Sequence, residues 1–195
     1  MSDTVLSFVL AVIQGLTEFL PISSSAHLLL PSLLFGLNDL GLSFDIAVHA
    51  GTLIAVIYYF RKEIALMLKS FFLSDKDLLP HRNLAISLIV ATIPIVIAGL
   101  FVKDLIEQRI FNVEHIAIAN IIFAGILLFA YLKRKDIKNL YSVTLYSALF
   151  VGVFQSLALF PGASRSGTAI TAALLLGFNL KDASNFYDLV MNLWD

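Results

Sequence analysis

Two hydrophobic stretches of this chain are copies of each other at a constant offset of 141 positions, and each is broken in its middle by a polar, serine-containing turn. Leu10 to Asn38 reads LAVIQGLTEFLPISSSAHLLLPSLLFGLN, and Val151 to Asn179 reads VGVFQSLALFPGASRSGTAITAALLLGFN. Identities between Leu residues carry little weight in apolar sequence. The pairs Gln14/Gln155, Ser23/Ser164, Ser25/Ser166, Gly36/Gly177 and Asn38/Asn179 carry more. Paired interruptions in corresponding hydrophobic segments are the sequence mark of a repeat that builds a site at the bilayer midplane. The copies differ at the positions suited to chemistry: Glu18, Ser24 and His27 stand opposite Leu159, Arg165 and Thr168.

The setting for such a repeat is a membrane. The chain is 59% hydrophobic and 14% charged, with mean hydropathy +0.90, against about 45–50% and about 25% in soluble domains. The absence of cysteine excludes disulfides, thiolate metal sites and a thiol nucleophile. A net charge of −1 gives no electrostatic signal for nucleic acid. The first basic residue is Arg61, so the apolar N-terminus reads as a retained helix rather than a signal peptide.

A spanning helix needs about 20 apolar residues, range about 17–25. Segments 45–60, 84–102 and 116–132 satisfy this or come close. Segments 4–20 and 26–37, and likewise 141–160 and 165–178, read instead as two arms of re-entrant hairpins, turned by Pro21 and by Pro161-Gly162. Irregular backbone at membrane depth requires a protein-lined or cavity-lined place. Lys and Arg set orientation. Loop 61–83 carries five, loop 133–140 four, and loop 103–115 only Lys103 and Arg109. The first two loops are expected in the cytoplasm and the third outside. Three crossings then separate the hairpins, which makes the repeats inverted. The expected fold is all-α: a polytopic integral membrane protein, one domain over 1–195, with repeats at about 4–60 and about 141–195 and two broken-helix hairpins meeting near the midplane.

Gln14 and Glu18 share a helix face at i and i+4, and a carboxylate in an apolar span usually serves a function. Ser23 or Ser24 is the expected cap of the second arm of the first hairpin. Ser24 and His27, three residues apart, suggest a hydroxyl beside an imidazole. In the second copy Ser164 is the expected cap and Gly167 lets a ligand approach the backbone. Arg165 offers a fork to phosphate, or alternatively pairs with Glu18. Free N–H groups at the two helix starts attract anions, which brings in Ser23, Ser25, Ser164, Ser166 and Gly167 as phosphate-binding candidates. His49 reads as an ordinary polar contact, and His81 and His115 as solvated loop residues. Together these groups suit phosphoryl chemistry on a lipid-borne substrate. A polyprenyl-phosphate transporter or flippase is the rival, and an inactive remnant a third reading.

At Gln14-Gly15-Leu16-Thr17-Glu18, at Ser23-Ser24-Ser25-Ala26-His27, at Pro161 to Ser166 and along Phe44 to Ile64, the chain closely resembles the bacterial undecaprenyl pyrophosphate phosphatase family of the bacitracin-resistance type. The resemblance extends from about Val5 to Phe186. It implies hydrolysis of undecaprenyl pyrophosphate to the monophosphate on the outer side of the bacterial inner membrane, with a divalent cation, Mg or Ca. It assigns Glu18 as cation ligand or base, with Gln14 beside it on the metal, and Ser24 as nucleophile. His27 becomes the acid/base and Arg165 the phosphate ligand; whether Ser24 or His27 attacks stays open. A homo-oligomer is allowed. Gln14 stands where many members carry Glu, and Ala169 where they often carry Thr. The chain passes after Phe186 into YDLVMNLWD, which reads as a C-terminal truncation. On that reading the second hairpin lacks cover and Arg165 is poorly positioned.

Overall fold

The computed structural model describes residues 2–107 and 112–191, and among these the regular structure is helical. The helices are α1 (Asp3–Thr17), α2 (Ser24–Phe35), α3 (Leu42–Tyr59), α4 (Arg61–Phe72), α5 (Leu79–Glu107), α6 (Val113–Lys133), α7 (Leu145–Ser156), α8 (Arg165–Leu175) and α9 (Leu180–Met191). Short 3-10 turns cover Lys76–Leu78, Leu140–Ser142 and Leu157–Leu159. Arg109, Gln108 and the final residues through Asp195 lie outside the described residues.

The sequence offset is visible in the helix boundaries. Ser24 and Arg165, 141 apart, each begin the second arm of their hairpin. Gly36 and Gly177, also 141 apart, both take the left-handed backbone, with φ of 61° and 91°. That conformation ends α2 and α8 and favours glycine at both places.

α3, α5 and α6 are long and apolar enough to cross a membrane. Their outward faces carry Ile54, Tyr58, Leu100, Phe101, Ile121 and Leu132, all exposed, which suits lipid rather than water as the neighbour. The protein is a membrane protein on this evidence and on its composition.

The two hairpins are not equally buried. α8 has nine consecutive buried residues, Ser166 to Leu174, and is flanked by α6, α7 and α9. The main core lies here, where Ile170, Ala173 and Leu174 meet Leu84 and Leu88 of α5 and Phe186 and Val190 of α9. The expectation that the second hairpin lacks cover is therefore corrected. α9 reaches Met191 and buries Phe186, Tyr187, Leu189 and Val190 against the rest. In chain order it follows the second hairpin as α3 follows the first, but it packs on α8 whereas α3 packs on α1. α1 and α2 form only a small cluster, Leu6, Leu10 and Leu28, with Val48 of α3 against it.

Close approach of α5 and α7 depends on Gly152. A Cβ there would lie 2.1 Å from the Ala91 carbonyl oxygen. The stretch 61–83, read as loop, instead contains α4. Its sequence RKEIALMLKSFF buries Met67 and Ser70 on one side and leaves Arg61, Lys62 and Phe72 exposed. Glu63 of α4 receives His81 Nδ1 at 2.6 Å and the Tyr141 hydroxyl at 3.0 Å. His81 is thus part-buried in α5 and paired, not a solvated loop residue. Burial, and then the hydrogen bond to Glu63, push the Tyr141 phenol up to about 12.

Candidate active site at the junction of two hairpin turns

The turns of the two hairpins touch. Ser166 Oγ donates to the Leu20 carbonyl at 2.8 Å, and a Cβ on Gly167 would lie 3.7 Å from the Pro21 ring. Gly162, at φ 97°, lets the Pro161-Gly162 turn press on α6, where a Cβ would meet the Ile116 carbonyl oxygen at 2.5 Å.

Glu18 stands at this junction. α1 ends at Thr17, so Glu18 is its C-cap and projects toward the start of α2. It is only 2% exposed. Gln14 Nε2, one turn back, donates to its Oε2 at 2.7 Å, and Ser24 Oγ donates to the same oxygen at 2.5 Å. Arg165 Nη2 donates to Oε1 at 2.9 Å. The Tyr187 hydroxyl donates to the Glu18 backbone carbonyl at 3.1 Å. A buried carboxylate survives in a low-dielectric place only with such partners. An Arg in the first turn of a helix opposes the helix dipole, and Glu18 supplies the negative charge that offsets this.

Three expected residues, Glu18, Ser24 and Arg165, therefore meet, and Gln14 joins them. Ser164 caps α8 by accepting from the Gly167 N–H at 3.1 Å, and its hydroxyl lies 3.0 Å from Ser166 Oγ. Ser23 holds the cap position of α2, but in left-handed backbone (φ 59°) and without a side-chain cap bond. Its carbonyl accepts from His27 Nδ1 at 2.8 Å. Ser25, part-buried in the same turn, is not among the groups bonded to Glu18.

The expected Ser24–His27 pair is corrected. Ser24 is bonded to Glu18, and His27 is turned to a cavity of about 300 Å³ between α2 and α6, lined also by Ile22, Ala26, Leu30, Ile116 and Asn120. The reason lies in the helix start: Ser24 faces back toward α1, whereas His27 lies a turn further on and bonds its own backbone. Conversely, His49 of α3 is a site residue that the sequence understated. Its Nε2 is 3.6 Å from Glu18 Oε2, and the residue is buried. The signal available was a histidine within an apolar span directly after the first hairpin.

Among the described residues no three His, Cys, Asp or Glu side chains cluster as a ready-made metal site. The residues nevertheless fit a hard divalent cation. Glu18 offers carboxylate oxygen, and Gln14 Oε1 is fully buried without a hydrogen-bond partner. Mg²⁺ is commonly held by one or two carboxylates plus phosphate oxygens.

Fold and site together define a class: a helical membrane protein whose paired broken hairpins present a carboxylate, a hydroxyl and a guanidinium at one buried point. The chain belongs to the family described as Bacitracin resistance protein BacA, which matches residues 7–191. It is 50% identical over 179 residues to an undecaprenyl-diphosphatase of Saccharophagus degradans, covering 91% of this chain and 67% of that protein. It is 48% identical over 180 residues to undecaprenyl-diphosphatase 1 of Pseudoalteromonas translucida, with 91% and 68% covered. An undecaprenyl-diphosphatase of Aliivibrio salmonicida is 47% identical over 182 residues, with 92% and 68% covered. The chain spans about two thirds of the length of these relatives.

Proposed function

We propose that this protein hydrolyses undecaprenyl pyrophosphate to undecaprenyl phosphate and inorganic phosphate, and so recycles the cell-wall carrier lipid and confers bacitracin resistance. The observation that carries the reading is the Ser24 hydroxyl 2.5 Å from a buried carboxylate that Arg165 also holds. A nucleophile bonded to its base, beside a bidentate phosphate ligand, is the constellation phosphoryl transfer needs.

Arg165 and the start of α8 bind the terminal phosphate, with Ser164, Ser166, Gly167, Ser23 and Ser25 around it. Ser24 Oγ attacks phosphorus while its proton passes to Glu18 Oε2, and the bond to the lipid phosphate breaks. Water then cleaves the phosphoseryl ester. Glu18 and Gln14 would hold the divalent cation, which when bound supplies charge neutralisation for the pyrophosphate. The prenyl tail lies in lipid. The site lies near the midplane of the bacterial inner membrane, and the count of Lys and Arg in the loops supports access from the outer side.

The test is phosphate release from a polyprenyl diphosphate by purified protein. Arg165→Ala is expected to lower turnover about 10²–10³-fold, as loss of one preorganised donor does. Arg165→Lys is expected to rescue poorly, since Lys lacks the fork. A lipid transporter would move the substrate and release no phosphate; that outcome, or full turnover in Arg165→Ala, would sink the reading.

A further inference from the structure

His49 has no part in the reaction above, yet it is built into the site. Its Nδ1 lies 2.6 Å from the Asp45 carbonyl oxygen. A carbonyl oxygen only accepts, so Nδ1 carries the hydrogen and Nε2 of the neutral ring presents a lone pair. That Nε2 is buried without a hydrogen-bond partner and faces Glu18 Oε2 at 3.6 Å. With the ring neutral, this nitrogen and the carboxylate oxygen are two acceptors turned toward each other. A third, Gln14 Oε1, is buried and unpartnered on the same amide whose Nε2 touches Glu18 Oε2. Which end of a glutamine amide faces a neighbour is an assignment. Turning it over would bring a further acceptor onto Glu18, an approach that a cation relieves.

Buried acceptors left unmade cost free energy, and the approach of His49 Nε2 to Glu18 Oε2 marks a place for positive charge. Arg165 occupies the other carboxylate oxygen, Oε1. A histidine that donates one ring N–H to a backbone carbonyl and aims the other nitrogen into a site is oriented as metal-ligating histidines are.

We propose that His49 is a ligand, with Glu18 and Gln14, of a divalent cation, and that its imidazole turns the site's preference toward a first-row transition ion. Carboxylate, amide and phosphate oxygens alone suit Mg²⁺ and Ca²⁺, whereas an imidazole nitrogen suits softer ions such as Co²⁺ and Zn²⁺. The inference rests on the phosphatase reading only for the anion that completes the coordination.

Binding, not turnover, tests it. Co²⁺, Mg²⁺ and Ca²⁺ affinities are measured by equilibrium dialysis on the purified protein with methylenediphosphonate present, and Co²⁺ coordination is followed by visible absorption. Wild type is expected to prefer Co²⁺. His49→Gln is expected to weaken Co²⁺ by at least about 10-fold and leave Mg²⁺ nearly unchanged. Glu18→Gln is expected to weaken both. Pulsed EPR on the Mn²⁺-loaded wild type needs no variant to fold, and is expected to detect a coordinated imidazole nitrogen. An unchanged Co²⁺-to-Mg²⁺ ratio in His49→Gln, a missing nitrogen coupling, or no Co²⁺ binding by wild type would overturn the proposal and leave His49 as an ion-pair partner of Glu18. A protein that binds Co²⁺ through His49 but releases no phosphate would refute the phosphatase reading and leave this one standing.

Discussion

Arg165→Ala should damage stability as well as turnover, and the two effects can be separated. Glu18 is 2% exposed and keeps its bonds from Gln14 and Ser24 when the guanidinium is removed. Breaking a buried pair by removing one partner costs about 3–5 kcal/mol. The two surviving donors, each worth about 1.5–3 kcal/mol to a charged acceptor, hold the loss near the lower end, about 3 kcal/mol. For a chain of this size that is roughly 6–12 °C in the unfolding midpoint. Arg165→Ala combined with Glu18→Gln leaves no orphaned charge, so the double variant should unfold at a higher temperature than Arg165→Ala alone while remaining without turnover. The assay is thermal unfolding of detergent-purified wild type, both single variants and the double variant, run as a cycle. An Arg165→Ala midpoint within about 2 °C of wild type, or a double variant no more stable than that single, would refute the claim that Glu18 depends on Arg165.

Gly152→Ala should destabilise by about 1–3 kcal/mol as overpacking does, because the new Cβ falls 2.1 Å from backbone of α5. A wild-type unfolding midpoint would show that α5 and α7 are further apart than described. Tyr141 lies in the turn ahead of α7, outside the spanning helices. Its raised value means stability that is present below the ordinary phenol range and lost as pH rises through about 12. The ultraviolet difference titration between wild type and Tyr141→Phe should therefore have its midpoint near 12; one in the ordinary phenol range would remove the bond to Glu63. For topology, the native chain has no cysteine, so single cysteines report cleanly. A cysteine at exposed Glu114 should react with an impermeant reagent from outside, and cysteines at exposed Lys76 or Lys135 should not. Strong outside labelling at Lys76 would reverse the orientation.

Much of this arrangement is legible in sequence because the repeat is ungapped. A constant offset placed both second-arm starts, Ser24 and Arg165, and the glycines 36 and 177 that end those arms. The Glu18–Arg165 pair was an open alternative, since charge and spacing name both partners without saying whether they touch. The Ser24–His27 pairing failed because three-residue spacing puts two side chains on one face without deciding what each bonds. Ser24 found a carboxylate and His27 the Ser23 carbonyl. His49 was understated because its importance comes from packing α3 beside α1, which local pattern does not reveal. α4 was missed because its amphipathic stripe sits in a basic stretch that counts as loop when charge is used for topology. The cover that α9 gives to α8 was missed because the stretch after Phe186 is too short to span and carries Asp188 and Asp195, whereas a one-sided amphipathic helix needs only its apolar face to cover α8.

The central claim is that Glu18, at the junction of the two turns, takes the proton from the attacking hydroxyl. Glu18→Gln preserves the shape of the side chain and removes the base. Phosphate release from a polyprenyl diphosphate, measured on purified wild type and Glu18→Gln with unfolding midpoints in parallel, tests it most directly. The account predicts a folded variant with turnover lower by about 10²–10⁴-fold, the range of a lost general base. Wild-type phosphate release by folded Glu18→Gln would contradict it.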